Sequence, residues 1–315
     1  MYDPRQLQVL VEVARSGTFT AAADALGYTQ PAVSYQMRTL ERAVGAPLTS
    51  RYGRRVRLTP VGAALARHAE TVLATLRTAQ NELASLVSEG GGQVRMSAFQ
   101  SGCVGLVPSA LARLRRTHPE LEVVLTQTEC AISHRLVLSG EVDLAVVCDL
   151  DDAENPPDPR LQRIPLLSDH RCVLLPADHP AANAASVSLD ELAGERWILE
   201  TVRTRFLAAC REAGFTPRIA ATSDDQLTIH SLVAHRIGLA IMNELGIAAH
   251  THPQVVARPL RGWPTRHIYA MLWPDLLKSA QVSAMLSALG SAASALGLGA
   301  AVEVSGDSTQ PDRDC

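Results

Sequence analysis

Residues 20–48 read TAAADALGYTQPAVSYQMRTLERAVGAPL, and the reading of this stretch decides how the rest of the chain is divided. Thr20 is placed to cap a short helix from Ala21 to Leu26 that stops at Gly27. Thr29 is placed to cap a longer one, in which Pro31 is tolerated because it falls in the first turn. That helix runs to about Val44 and ends at Gly45. Two helices joined by a tight, glycine-containing turn form a helix-turn-helix. Val33, Met37 and Leu40 recur at helical spacing and should face a core. Gln30, Ala32, Ser34, Tyr35 and Arg38 are left on other faces, and a polar face of this kind needs something to meet.

The flanks extend the motif. Asp3 can cap a helix with Pro4 in its first position, carrying Leu7, Leu10, Val11 and Ala14 as one apolar stripe and ending at Gly17. Downstream, Arg51 to Leu58 reads as a basic hairpin around Gly53, a candidate wing. Residues 1–60 hold eight Arg against four carboxylates, a net charge of +4; with −3 for the whole chain, −7 is left for the remainder. A basic head on an acidic body implies that only the head meets a polyanion.

The chain's 315 residues suggest about two domains. With 47% hydrophobic but only 4% aromatic residues, the core must be mostly aliphatic. No apolar run reaches the ~18 residues of a membrane span and no secretory leader is evident, so no membrane partner and a cytoplasmic location are expected. The six cysteines are dispersed without a CxxC and are expected to be reduced.

Thr59-Pro60 restarts a helix in which Leu65, Ala69, Val72, Leu76, Ala79, Leu83 and Leu86 alternate at spacings of four and three. This heptad seam suggests a two-helix coiled coil, and Gly90-Gly91-Gly92 follows as a linker. Beyond it, apolar runs at Val94–Ala98, Leu121–Thr126 and Val142–Val147 alternate with helical segments near 104–116 and 133–138, which argues for a parallel α/β sheet. The rhythm resumes at Cys172–Leu175, Trp197–Leu199, Arg218–Ala221, Gly238–Met242 and His267–Trp273, with a closing helix over 276–289. Crossovers near Pro165 and Trp263-Pro264 imply two hinged lobes with a cleft between them. The expected organisation is a winged helix-turn-helix at 1–59, a linker and dimerisation helix at 60–89 and an α/β effector domain at 93–290. Lobe 1 covers about 93–164 and 265–290, lobe 2 about 165–264, and 291–315 forms a disordered tail. Asp149–Pro159 reads as an acidic, proline-rich surface loop.

FTAAADALGYTQPAVSYQMRTLERAVGAPL, followed by RYGRRVRLTPVGAAL, closely resembles the N-terminal module of LysR-type transcriptional regulators. VPSALARLRRTHPELEVVL, LVLSGEVDLAVV, VLLPADHPAA, LDELAGERWI and HRIGLAIM follow in the family's order, so the resemblance spans about residues 1–290. It implies a mostly α winged helix-turn-helix, homodimers and homotetramers, and a two-lobed, periplasmic-binding-protein-like domain that binds a small-molecule co-inducer. RNA polymerase is a further expected partner. The chain departs from the family at Thr49-Ser50, where Phe-Glu is common, and at Tyr35, where many relatives carry a smaller or basic residue.

The helix after Thr29 is then the recognition helix, which enters the major groove of double-stranded DNA and reads bases with its N-terminal residues. Gln30 suits adenine, Pro31 or Ala32 a thymine methyl, and Ser34, Tyr35 and Arg38 bases or phosphates. Arg51, Arg54 and Arg55 would grip the backbone or minor groove, and a two-fold dimer would read an inverted repeat. In the effector domain, ligands are expected at the carboxyl ends of strands. Those ends lead to Gln100, Ser101, Thr128 and Cys148 in lobe 1 and to Thr201, Arg203, Arg205, Ser223 and Met242 in lobe 2. Ser101 and Ser223 could present hydroxyls, and Arg203 and Arg205 could clamp a carboxylate. An alternative is a thiol- or metal-responsive regulator using Cys103, Cys130 and Cys148, which lie at or just past three strand ends. An enzyme is disfavoured because no GxSxG, HExxH or P-loop occurs, and no catalytic residue, cofactor or metal site is expected. A solute-binding protein would share the two lobes but not the basic head.

Overall fold

The computed structural model describes residues 2–53, 55–87, 92–149, 157–201, 203–250 and 252–299, with the side chains of 51, 78, 81, 82 and 84–87 outside that description. The head is built from α1 (Pro4–Ser16), α2 (Phe19–Leu26) and α3 (Gln30–Val44), then a hairpin of β1 (Thr49–Tyr52) and β2 (Arg55–Leu58). The long helix α4 (Pro60–Val87) follows. Each head helix ends on a glycine in the left-handed region: Gly17, Gly27 and Gly45. Asp3 and Thr29 cap α1 and α3 as expected. Thr18, not Thr20, caps α2: its hydroxyl accepts from the Ala21 amide at 3.1 Å, and the helix begins at Phe19, whose ring packs on the head core.

That core gathers Leu7, Val9, Leu10 and Val13 of α1 with Ala22, Ala23, Val33, Met37, Leu40 and Leu48. The stripe of α1 is thus rotated from the expected one, with Val9 and Val13 buried and Ala14 exposed. The hairpin is tied to α1 by the Val56 amide, which donates to the Gly17 carbonyl at 2.7 Å. Thr59 caps α4 by accepting from the Gly62 amide while donating to the Pro47 carbonyl. Ala66 and Ala69 complete the head core, whereas Val72, Leu76 and Leu83 lie exposed along the same helix. Leu86 of the seam lies outside the described side chains.

Lobe 1 comprises β3 (Gln93–Ala98), α5 (Gln100–Gly105), α6 (Val107–Thr117), β4 (Glu122–Gln127), α7 (Cys130–Leu138), β5 (Leu144–Cys148) and β6 (Gln162–Asp169). Lobe 2 comprises β7 (Arg171–Pro176), β8 (Arg196–Leu199), α8 (Thr204–Glu212), β9 (Arg218–Thr222), α9 (Gln226–Ala234), β10 (Leu239–Asn243), α10 (Glu244–Ile247) and β11 (Val255–Pro259). The chain then returns to lobe 1 as β12 (Arg266–Leu272) and α11 (Ala280–Ala295). The strand orders are β4-β3-β5-β12-β6 and β11-β7-β10-β8-β9.

Both sheets are mixed rather than parallel. β3 runs parallel to β4 and β5, while β12 is antiparallel to β5 and β6. In lobe 2, β7 is antiparallel to β10 and β11. The pattern of apolar runs does not distinguish the two directions when both faces of a strand are covered. Two strands, β6 and β11, lie where no strand was expected. Pro165 falls inside β6, at the register shift opposite Ile268 and Tyr269, on the sheet's outer strand, where a proline is tolerated. The crossover therefore lies at Asp169–Arg171 and not near Pro165. The segment 104–116 breaks at Leu106 into α5 and α6. Residues 291–295 are helical and Gly299 bridges Ser168, so this part of the expected tail is ordered; 300–315 lie outside the described residues, as does 150–156 of the acidic loop.

A side chain at Gly62 would place its Cβ 2.0 Å from the Leu48 carbonyl oxygen, whereas Gly290, inside α11, has open space around it. Gly62→Ala should lower stability by ~1–3 kcal/mol through the forced backbone shift. Gly290→Ala should raise it by ~0.5–1 kcal/mol, because alanine loses less freedom in a helix. Urea titrations of both variants check the opposite signs.

Candidate DNA interface and effector cleft

The recognition helix is held from behind and bare in front. Val33, Met37 and Leu40 are fully buried, while Thr29, Gln30, Pro31, Ala32, Tyr35 and Arg38 are exposed and Ser34 is half-buried. The Gln30 amide donates to the Ser34 hydroxyl at 2.8 Å. Tyr35 is 58% exposed. A hollow of about 660 Å³ runs beside Tyr35, Arg38 and Arg42 to Pro47.

Two further features of this surface are absent from the sequence expectations. Glu41 accepts from the amides of Leu48 and Thr49 and from the Thr49 hydroxyl, at 2.9–3.3 Å, so α3 and β1 are joined through one carboxylate. Thr49 thereby takes part in a polar joint between the helix and the hairpin. On the hairpin, the Arg57 guanidinium lies 5.2 Å from the centre of the exposed Tyr52 ring. Arg55 and Arg57 alternate outward along β2. Arg54 and the side chain of Arg51 lie outside the described residues.

Between the lobes, the buried Arg266 donates to Asp169 from Nε at 2.7 Å and from Nη2 at 2.5 Å, and to Ser101 Oγ from Nη1 at 3.1 Å. Its guanidinium lies 5.0 Å from the Phe99 ring centre. Burial alone would destabilise this charge, yet the Asp169 hydrogen bonds outweigh it and the Arg266 pKa is raised. Asp169 also accepts from the Leu245 amide of lobe 2, and the Glu244 carboxylate accepts from the His170 amide.

Lobe 2 presents Arg171 beside this joint. Its Nη1 stands 4.0 Å from Glu200, and its buried Nε has no partner. Burial lowers the Arg171 pKa, opposed by the charge of Glu200. Burial raises the Glu200 pKa, opposed by Arg171 and reinforced by Asp224 and by Glu129 of lobe 1. Asn243, the register partner of Arg171, likewise keeps a buried, unpartnered Oδ1.

The expected effector residues are gathered at strand ends, but several are already engaged. Gln100 and Thr128 flank the ends of β3 and β4, with the Thr128 amide donating to the Ala98 carbonyl. Ser101 is 6% exposed and its oxygen serves Arg266. Thr201 is bonded to Asp224 through amide and hydroxyl, Arg203 donates to Thr222, and Arg205 is exposed on α8. Asp225 caps α9, and the Ser223 hydroxyl accepts from the Asp225 amide. Met242 packs into the lobe core with Leu174, Ile198 and Val233, so Asn243 replaces it as the residue of β10 at the cleft. Among the cysteines, Cys130 and Cys148 meet with sulfurs 3.5 Å apart, while the Cys103 thiol donates to the Ala98 carbonyl. Among the described residues no cluster of three or more metal-ligating side chains occurs, and no helix is long and apolar enough to cross a membrane.

A winged helix-turn-helix on a long helix, carrying a two-lobed body hinged by two crossovers, defines a DNA-binding regulator with an effector domain. Residues 4–63 match the family model for the bacterial regulatory helix-turn-helix protein, lysR family, and 88–294 match the LysR substrate binding domain. The chain is 31% identical over 269 residues to the small neutral protease regulatory protein of Streptomyces coelicolor, covering 83% of this chain and 79% of that one. It is 29% identical over 244 residues to the uncharacterised HTH-type regulator YybE of Bacillus subtilis, covering 76% and 82%. A full-length, cysteine-substituted OxyR from Pseudomonas aeruginosa superposes with a TM-score of 0.61 at 22% identity, covering 92% and 95%. The chain belongs to the LysR family of transcriptional regulators, proteins that bind DNA and carry an effector-binding domain. It is not an enzyme of the same two-lobed architecture.

Removing one partner of the buried pair strands the other. Arg266→Met should cost ~3–5 kcal/mol, and Asp169→Leu combined with Arg266→Met should cost clearly less than Arg266→Met alone. Guanidinium unfolding at pH 7 checks the order; equal losses would remove the pair's role as a unit.

Proposed function

We propose that this regulator reads an inverted-repeat operator with paired α3 helices and that a small-molecule co-inducer bound between the lobes sets its activity. What carries the DNA reading is the division of α3 into a buried rear of Val33, Met37 and Leu40 and an open front. Gln30, Pro31, Ala32, Ser34 and Tyr35 face bases, with Thr29 and Arg38 on phosphates. Arg51, Arg54 and Arg55 of the wing grip backbone or minor groove. The protein acts in the cytoplasm, and RNA polymerase is the partner through which activation runs.

Dimerisation follows from α4. Val72, Leu76 and Leu83 are 44%, 42% and 62% exposed, a stripe that a second α4 would cover. Dimers of dimers would form homotetramers. The co-inducer reading centres on Arg171, whose unpartnered buried Nε and loose contact with Glu200 favour an anionic group such as a carboxylate. Gln100 and Thr128 line the opposite side, and Arg203, Arg205, Thr201 and Ser223 stand on the outer edge.

Operator DNA titrated at two salt concentrations separates the roles. Gln30→Ala should cost ~1–3 kcal/mol on the cognate site only, while Arg55→Ala should weaken all sequences alike and reduce the salt slope by ~1. Unchanged binding by both variants would overturn the interface. Leu76→Glu with Leu83→Glu should shift the species seen by sedimentation toward monomer. Thermal-shift screening of small carboxylates should yield a stabilising compound whose effect Arg171→Met abolishes. Stabilisation unchanged in that variant would move the anion site elsewhere.

A further inference from the structure

Cys130 and Cys148 come from different elements. Cys130 is the first residue of α7 and Cys148 the last of β5, and their sulfurs stand 3.5 Å apart. They are 8% and 7% exposed, so the pair lies just beneath the surface. Both elements are anchored independently: the Ser97 hydroxyl bonds that of Ser133 at 2.9 Å, and β5 lies between β3 and β12. The thiols therefore meet because the fold brings them together, not because one flexible loop allows it.

Cationic groups stand close to the pair. No side chain caps α7, and Cys130 occupies the positive end of its backbone dipoles. The guanidinium of Arg266 lies within electrostatic reach of both sulfurs, and that of Arg171 within reach of Cys148. The other described thiols lack this setting. Cys103 is bound to the Ala98 carbonyl and burial raises its pKa; burial pushes Cys172 up to about 12 and Cys210 up to about 11.

We infer that Cys130 and Cys148 form a reversible two-electron oxidation site for hydroperoxides, closing to an intrachain disulfide at the cleft rim. The Cys148 thiolate attacks the peroxide O–O bond; a sulfur–oxygen bond forms, the O–O bond breaks, and the distal oxygen leaves with a proton as alcohol or water. The Cys130 sulfur then attacks the sulfenic sulfur, the S–S bond forms and water departs. The two sulfurs lose two electrons and the hydroperoxide gains them. The product ties the start of α7 to the end of β5. This site is independent of the co-inducer reading above, because it needs no bound ligand.

Peptide mapping of the full-length protein tests it. Trypsin cuts after Arg116, Arg135 and Arg160, so Cys130 falls in peptide 117–135, Cys148 in 136–160 and Cys103 in 96–113. Reduced protein is treated with a few equivalents of hydrogen peroxide, its free thiols are alkylated, and it is digested without reductant. The expected result is a 117–135/136–160 cross-linked pair that dithiothreitol releases and that persists in Cys103→Ser. In Cys130→Ser, a dimedone adduct should appear on Cys148. If that variant does not fold, the linkage map of the native chain decides by itself. Unchanged alkylation of Cys130 and Cys148, or oxidation falling first on another cysteine, overturns the proposal.

Discussion

The Asp169–Arg266 pair sits where the two crossover strands pass between lobes, and the body of the molecule is organised around it. Each residue closes one strand end: Asp169 the last of β6 and Arg266 the first of β12, opposite one another in register. A charge pair with 0% and 4% side-chain exposure is expensive to desolvate. It persists here because almost every donor and acceptor is used. Ser101 and the Leu245 amide take the remaining valences, and the Phe99 ring covers a face of the guanidinium. The joint therefore specifies geometry more than it supplies stability. It binds α5 of lobe 1 and α10 of lobe 2 to the same point, and it leaves the neighbouring Arg171 incompletely paired.

The head solves a different problem with smaller means. A short helical unit that packs only Phe19 of its aromatics on the core has little area to bury, so its turns are specified by caps. Thr18, Thr29 and Thr59 each hold an amide, and glycines stop each of the first three helices. Glu41 joins α3 to β1 by hydrogen bonds, which set the hairpin against the helix. The consequence is a reading surface whose position is fixed by backbone chemistry, leaving its front side chains free of structural duty.

Much of this was legible because it rests on local rules. Caps, glycine stops and the spacing of Val33, Met37 and Leu40 fix α3 to the residue, and the apolar runs locate most strands within one or two positions. What was not legible depends on pairs distant in the chain. Strand direction, the insertion of β6 with its internal Pro165, and the pairing of Asp169 with Arg266 have no short-range signature. Trp263-Pro264 marked the second crossover, and the polar quartet Ser168-Asp169-His170-Arg171 between two apolar runs was the sign of the first. Ser101 and Met242 were expected to serve ligand by their place at strand ends. Tertiary contacts claimed Ser101 for Arg266 and Met242 for the core.

Two glycines at the lobe joint carry a mechanical meaning. A Cβ on Gly105 would strike the Leu245 carbonyl at 2.2 Å, and one on Gly246 would press on Gln226 and on Ser101. At this point α5 and α10 approach too closely for any side chain at 105 or 246, so the contact between the lobes tolerates no added volume. Lobe 1 also reaches the long helix: the Arg160 guanidinium donates to the Arg67 carbonyl and the Glu70 carboxylate of α4. Both contacts of lobe 1, with lobe 2 and with the helix, are therefore intolerant of substitution, the first for want of space and the second for want of another donor in the same place.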